Sequence, residues 1–215
     1  VPAGYEEKCP NVAQFLKNLQ FNTDIENKVM VPILEKVKPN TAARAIALGG
    51  ADDTGKLHVS NDELARITAA KGLVVGWDNI SGGIQITDNI TIANPGFVSL
   101  INTGSITATT GKTITTDKLN LHSYTGAVLL GGDAHAVNTV AGKSGTNQTF
   151  SFKAAGALTV GSVDFNTGIN DGVNVASGLA SVESVGLLTV AGNVSGGSTG
   201  TVSLTGVGVT LGSTR

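Results

Sequence analysis

The sequence predicts an all-β fold, a parallel β-helix (solenoid) preceded by a short helical N-terminal segment. Short segments of alternating β-branched residues follow one another from residue 57 onward, separated by Gly, Asn, Asp or Ser. No long helical run lies between them, which argues against β-α-β units. Aromatic residues make up only 4% of the chain, whereas the cores of β-sandwiches usually depend on them.

The predicted strands have a side-chain period of two, with apolar residues inside and turn residues between strands. They cover residues 57–60, 73–76, 84–87, 90–93, 97–101, 105–110, 113–116, 119–121, 127–130, 150–152, 158–160, 187–190, 202–204 and 207–211. An antiparallel sandwich or barrel is the alternative architecture. Stacked coils are favoured because small residues crowd the turns and Ile, Val, Leu and Ala fill the inward positions.

Coil length can be estimated from the repeat. At about 20 to 25 residues per coil, the strand-rich region would form about seven or eight coils. One segment, residues 156–163, resembles residues 186–194 at an offset of 30. Asn residues recur at the predicted turns and could form hydrogen-bonded ladders between coils.

Composition divides the chain near residue 45 into a helical N-terminal segment, 1–45, and a β-helix repeat domain, 46–215. The first 45 residues hold 11 charged residues and one glycine, whereas the remaining 170 hold 19 charged residues and 28 glycines. A capping box at Thr23 and Glu26 predicts a helix start, and an apolar face continues to about Lys38. Another predicted helix has an apolar face made of Val12, Phe15, Leu16 and Leu19.

Residues 4–44 carry the stretches CPNVAQFLKNLQF, DIENKVM and NTAAR. In these stretches the chain resembles the C-terminal tail of glycine-betaine-type substrate-binding proteins of ABC transporters. The two lobes that clamp the ligand in that family have no counterpart here. We therefore expect no betaine binding, and no ligand-binding residue is transferred.

Residues 46–215 carry a second resemblance. The pattern L-G-G-x-x-D-x-G-K-L-x-V-S-x-x-E-L-x-x-I-T-A runs from Leu48 to Ala69, and strand repeats follow it. In this pattern the chain resembles secreted repeat adhesins of the filamentous haemagglutinin and autotransporter type. The resemblance implies a right-handed parallel β-helix, exported through the periplasm to the bacterial cell surface or the extracellular space. It also implies a receptor or glycan on a host or neighbouring cell as partner. Within the pattern, residues 62–67 predict one helical turn capped by Ser60 or Asn61.

Charge and composition exclude several other classes of function. The chain has 14 Lys and Arg against 16 Asp and Glu, too few cations to hold a nucleic-acid backbone. A single cysteine, Cys9, cannot form an internal disulfide. No apolar stretch approaches the length of a membrane span.

One segment suggests a metal site. Asp164, Asn166 and Asp171 place oxygen ligands along a short loop, as calcium loops do. The segment departs from an EF-hand loop, since it lacks carboxylates at the fifth and twelfth positions of that loop. No other cofactor is expected.

No residue pattern indicates catalysis, and we expect the chain not to be an enzyme. The three histidines are scattered, and no serine lies in a nucleophile-elbow context. The pairs Gly111-Lys112 and Gly142-Lys143 lack the earlier glycine of a phosphate-binding loop, so both are expected to be turns. We likewise expect His135, beside Asp133, to lie in a solvated turn rather than to bind a metal.

Three functions remain open at this point. The repeat pattern favours an adhesive or structural surface module. The sequence VGVTLGSTR provides no evident cap for the last coil, which favours a self-assembling extracellular filament subunit instead. A remnant of a periplasmic solute-binding protein has support only from residues 4–44.

Overall fold

The computed structural model describes residues 45–51, 55–93, 96–165 and 168–212. The helices expected between residues 10 and 38, and with them nearly all of the proposed segment 1–45, lie outside the described residues. In the described part the protein is all-β, with one short helix. No helix there is both long and apolar enough to span a membrane.

The elements follow each other in chain order, with helix α1 between the second and third strands. They are β1 (Ile46–Leu48), β2 (Leu57–Val59), α1 (Asn61–Arg66), β3 (Leu73–Gly76), β4 (Ile84–Ile86), β5 (Ile90–Thr91), β6 (Val98–Asn102), β7 (Ile106–Ala108), β8 (Ile114–Ser123), β9 (Val128–Ser144), β10 (Thr149–Ala154), β11 (Leu158–Val160), β12 (Ser162–Asp164), β13 (Ile169–Asp171), β14 (Val173–Val175), β15 (Leu179–Ser184), β16 (Leu187–Val190), β17 (Val194–Ser195), β18 (Thr201–Thr205) and β19 (Gly208–Leu211).

Parallel pairing joins these strands into two regions of one curled sheet. In sheet 1 the spatial order is β2, β1, β4, β7, β9, β10, β15 and β18. Sheet 2 contains β3, β5, β6, β8, β11, β14, β16, β17 and β19. Strand β9 is long enough to belong to both, so the whole is one 17-stranded parallel sheet curled into a half-barrel. The antiparallel sandwich is therefore wrong.

The pairing register indicates a coil of about 22 residues. On sheet 1, Ile84 pairs with Ile106, Ile106 with Val128, and Val128 with Phe150, so the same interval separates each strand from the next. The partner of Phe150 in the following coil is Ala180, at a longer interval, because the antiparallel hairpin β12–β13 is inserted in that coil. The same insertion explains the offset of 30 residues between the similar segments 156–163 and 186–194, since their strands β11 and β16 are neighbours one coil apart.

The core lies between the two regions of the sheet. Ile84, Ile106, Val128 and Phe150 stack on each other, and none is more than 1% exposed. Their neighbours one residue away face outward, as the period of two requires. Across the core, Gly142 leaves room for the Phe150 ring, because a Cβ there would collide with the Leu121 carbonyl oxygen and approach the ring to 2.6 Å.

Helix α1 has the cap that the sequence predicts. The hydroxyl of Ser60 accepts a hydrogen bond from the Glu63 amide, and the Glu63 carboxylate accepts one from the Ser60 amide at 2.8 Å. These two bonds form a capping box. Leu64 is the buried residue of the helix, and through it this single turn packs against the core.

Strand β9 differs most from the prediction. The sequence predicts a strand only as far as residue 130, followed by turns, but β9 continues for 17 residues. The expected turn at Gly142-Lys143 is therefore wrong, since both residues lie in β9. Gly111-Lys112 does lie in a turn, where Gly111 has a φ of 80° and the Lys112 amide donates to the Thr109 carbonyl.

Candidate functional site

A groove of about 570 Å³ runs across the outer surface of sheet 2. We call it the sheet-2 groove. Most of its residues are exposed and small. The lining consists of Thr91, Ala93, Thr115, Thr116, Asp117, Ala136, Val137, Asn138, Ala155, Gly156 and Ala157.

Parallel pairing builds the groove from successive coils. Thr91 of β5 lies beside Thr115 of β8, and Thr115 lies beside Ala136 of β9. Because these residues occupy equivalent outward positions, their side chains form a row along the stacking direction. Short side chains in this row keep the groove open.

A polar pair stands beside this row. Asp117 of β8 and Asn138 of β9 lie side by side on the paired strands. The Asn138 amide donates a 2.8 Å hydrogen bond to Asp117 Oδ1, which leaves Oδ2 of the carboxylate and Oδ1 of the amide as further acceptors. Both residues are exposed.

Thr116 adds a polar group that has no partner. It lines the groove and is only 6% exposed, and no described residue forms a hydrogen bond with its hydroxyl. Thr116 alternates with the exposed Thr115 and Asp117, so its side chain lies on the inward face of β8 and its hydroxyl is not open to the groove.

Two of the proposed calcium ligands lie on the inserted hairpin. Asp164 and Asp171 are both exposed on the same side of β12–β13, since Ser162 pairs with Asp171 and Asp164 with Ile169. The Ser162 hydroxyl donates to Asp171 Oδ1 at 2.6 Å. Asn166 lies outside the described residues. Within the described ranges no group of three or more His, Cys, Asp or Glu side chains is arranged to hold a metal ion. Calcium binding stays a prediction.

The opposite side of this hairpin covers polar residues of sheet 2. Asn170 donates a 2.5 Å hydrogen bond to the side-chain oxygen of Asn120, and Asn120 donates a 2.6 Å bond to the Ser99 hydroxyl. Asn120 and Ser99 are fully buried. Asn120 and Asn170 thus meet through the inserted hairpin rather than through a ladder of asparagines at repeated turns.

His122 completes the contact beneath the hairpin. Its Nδ1 lies 3.3 Å from the Asn170 amide nitrogen, and its ring packs against Tyr124 and edge-on against Phe165. Burial, followed by the positive charge of Lys143, lowers the pKa of His122 to about 4. The ring is therefore neutral near pH 7. With Nδ1 as acceptor, its proton lies on Nε2, which is buried and has no partner among the described residues.

His135 does not lie in a solvated turn. It is fully buried in β9, and its ring stacks on Phe152. Nδ1 accepts from the Ile114 amide at 3.1 Å, and Nε2 donates to the Leu130 carbonyl at 3.1 Å. Burial lowers the pKa of His135, against smaller opposing effects of the Leu130 carbonyl and Asp133. The imidazole thus bridges two backbone groups, and neither nitrogen is left for a metal.

The turn at Gly111 also contains charged residues, all of which have partners. Lys112 Nζ lies 2.7 Å from Asp88 Oδ1, and Gly111 donates its amide to the Asp133 carboxylate at 2.7 Å. The hydrogen bond from Lys112, with a second from the Asn89 amide, lowers the pKa of Asp88. These contacts connect the corners of neighbouring coils and leave no binding site there.

Sequence reasoning missed the sheet-2 groove. Its polar residues belong to strands or strand ends that the sequence partly predicts, but only the pairing register shows that they are neighbours. Thr115 and Asp117 are followed one coil later by Ala136 and Asn138 at the equivalent positions. If the coil length had been known, the sequence would have predicted that these residues are neighbours.

Comparison of the chain with protein families, curated proteins and solved structures gave no match in any of the three.

Proposed function

We propose that the coils close into a right-handed parallel β-helix and that the chain is a non-enzymatic bacterial surface or secreted module, acting in adhesion or as a structural fibre. The observation that supports the proposal is the parallel pairing of successive strands in a constant register, which repeats from coil to coil. Connections between parallel strands of one sheet are right-handed in about 98% of cases, which supports the handedness.

Stacked coils of this kind suit a rigid spacer. Each coil contacts mainly its neighbours, so the stack extends in one direction while its core stays continuous. One outward row of sheet 1 consists of the polar residues Gln85, Thr107, Ser151 and Ser181, with Leu129 in their midst. Such a surface, together with the sheet-2 groove, could present a ligand-binding face to a receptor or glycan on a host or neighbouring cell.

Adhesion can be tested with the whole chain attached to fluorescent beads. If the proposal holds, coated beads should bind to epithelial or bacterial cell layers more than beads that carry the heat-denatured chain. Equal binding of the two kinds of beads would reject an adhesive role. Negative-stain electron microscopy of the same preparation tests the architecture, because short rods are expected and round particles would contradict a β-helix.

A filament subunit is the second candidate, supported by the last described coil. Val202, Val209 and Leu211 continue the inward stacks of the core but are 42%, 46% and 74% exposed. No described strand pairs with the outer edges of β18 and β19. Exposed apolar strand edges invite pairing with another chain.

Sedimentation over a range of concentrations tests this alternative. A filament subunit should form particles that grow with concentration, and Leu211→Lys should abolish the growth. Val185→Lys is the matched control, since Val185 is 53% exposed in the turn between β15 and β16. A particle of constant mass at all concentrations would refute self-assembly through this edge.

A further inference from the structure

We propose that the sheet-2 groove binds an extended, neutral glycan chain that lies along the stacking direction of the coils. This inference rests on the proposed adhesive function and assigns the ligand class to one surface. Four features support it: the satisfied backbone beneath the groove, its free polar atoms, its charge and its small side chains.

The backbone beneath the groove is already paired. Strand β8 pairs with β5 and β6 on one side and with β9 on the other, and β9 pairs in turn with β11. A peptide therefore cannot add as an extra strand at β8, which has partners on both sides, because strand addition requires an unpaired edge. The groove must recognise its ligand through side chains.

The polar side chains suit a ligand rich in hydroxyl groups. Asp117 Oδ2 and Asn138 Oδ1 remain as acceptors beside the hydrogen bond that joins the two residues. Thr91 and Thr115 expose hydroxyls that both donate and accept.

The charge of the groove argues against an anionic polymer. Asp117 is the one charged residue in its lining, which contains no Lys, Arg or His among the described residues. A sulfated or uronic-acid-rich chain would meet this carboxylate without a compensating cation, and like charges at an interface disfavour a partner. Neutral sugars avoid that repulsion.

The small side chains give the ligand room to extend. Ala93, Ala136, Ala155 and Ala157 lie in the lining with Gly156, so a chain can approach the sheet closely over several coils. The lining comes from four successive coils, at residues 91–93, 115–117, 136–138 and 155–157. Because neighbouring coils are about 4.8 Å apart, the groove extends over roughly 14 Å from the first coil to the last. This length favours an oligosaccharide over a single sugar.

The test is native gel electrophoresis of the whole chain in gels that contain a neutral glucan, a neutral mannan or, for comparison, heparin. We expect retardation by at least one neutral polymer and none by heparin. Asp117→Asn keeps the side-chain shape and should weaken binding at least tenfold. Ala136→Trp fills the groove and should abolish binding. Leu57→Trp, at an exposed position of β2 outside both the groove and the outward row of sheet 1, should bind as the parent does.

Several outcomes would overturn the inference. They are retardation by heparin alone, absence of retardation by both neutral polymers, and unchanged binding by folded Ala136→Trp together with Asp117→Asn. Circular dichroism establishes that each variant is folded. If the coated beads still adhere to cells while these gels show no binding, the glycan assignment fails and the adhesive function stands. If the beads do not adhere, the adhesive role on which this inference rests fails.

Discussion

Acidification should destabilise the coil region through His122. The ring is buried under the inserted hairpin, and its pKa in the folded protein is about 4, against 6.5 for an ordinary histidine. Between these two values the unfolded chain binds a proton that the folded chain does not, so stability falls as the pH falls. The contribution is fully present above about pH 6.5 and is lost progressively towards about pH 4.

The expected size of this loss follows from the pKa difference. One pKa unit corresponds to about 1.4 kcal/mol, so His122 contributes at most about 3 kcal/mol to the free energy of unfolding. Solvent near the partly enclosed ring screens the charge, so we expect a loss on the order of 2 kcal/mol. The physical source is the desolvated ring beside Lys143, whose charge repels the imidazolium.

Urea unfolding at about pH 7.5, 5.5 and 4.5 measures this loss as a decrease in the free energy of unfolding. The matched variant is His122→Gln, which cannot titrate in this range. Since His135 is present in both proteins, its own pH dependence cancels in the difference between them. Hydrogen exchange at the amides of β12 and β13 would show whether the hairpin opens before the rest of the sheet. An equal loss of stability in the parent and in His122→Gln would refute the reasoning.

Three further predictions concern stability and use thermal or urea denaturation. Gly142→Ala should destabilise the protein by about 1–3 kcal/mol because the added methyl group overpacks the core. Gly132→Ala, where a Cβ meets no atom within 4 Å, should be close to neutral, and equal effects at the two glycines would contradict this account. Phe152→Ala should cost about 3–5 kcal/mol, since the side chain is 1% exposed, and a loss below about 1 kcal/mol would mean that the ring is not packed in the core. Ser60→Ala should cost about 1 kcal/mol through loss of the capping box, and no measurable change would show that the cap does not form in solution.

The fold could be predicted from the sequence wherever strands alternate cleanly between turn residues. Strands β11 and β16 have the bounds that the pattern predicts, because Leu158–Val160 and Leu187–Val190 alternate next to glycines. The capped turn at Ser60 was also predictable, since a capping box depends only on local spacing.

The length of β9, the burial of His135 and the sheet-2 groove depend on the pairing register. Register joins residues that are far apart in the chain, so no local sequence pattern predicts it. Gly131, Gly132 and Asp133 have the composition of a turn, yet they lie within β9, at a register shift between the pairs Leu130–Phe152 and His135–Ala154. His135 is buried because the pairing places it beside Ala154, where its ring nitrogens bond two backbone groups. The sheet-2 groove depends on register in the same way, because its residues come from different coils.

The stacking of the coils has a mechanical consequence. Hydrogen bonds between neighbouring coils run along the stacking direction, so tension applied along the stack loads the coils in series and should peel them away in turn. Releasing one coil of about 22 residues would lengthen the chain by about 75 Å when it is fully extended. The coil that contains the inserted hairpin, with about 30 residues, would give about 100 Å. The first coil, from Ile46 to its partner Ile84, is longer still, at about 38 residues. A force–extension trace of a single molecule would then show a series of equal steps and two longer ones, of which the shorter marks the position of the inserted hairpin.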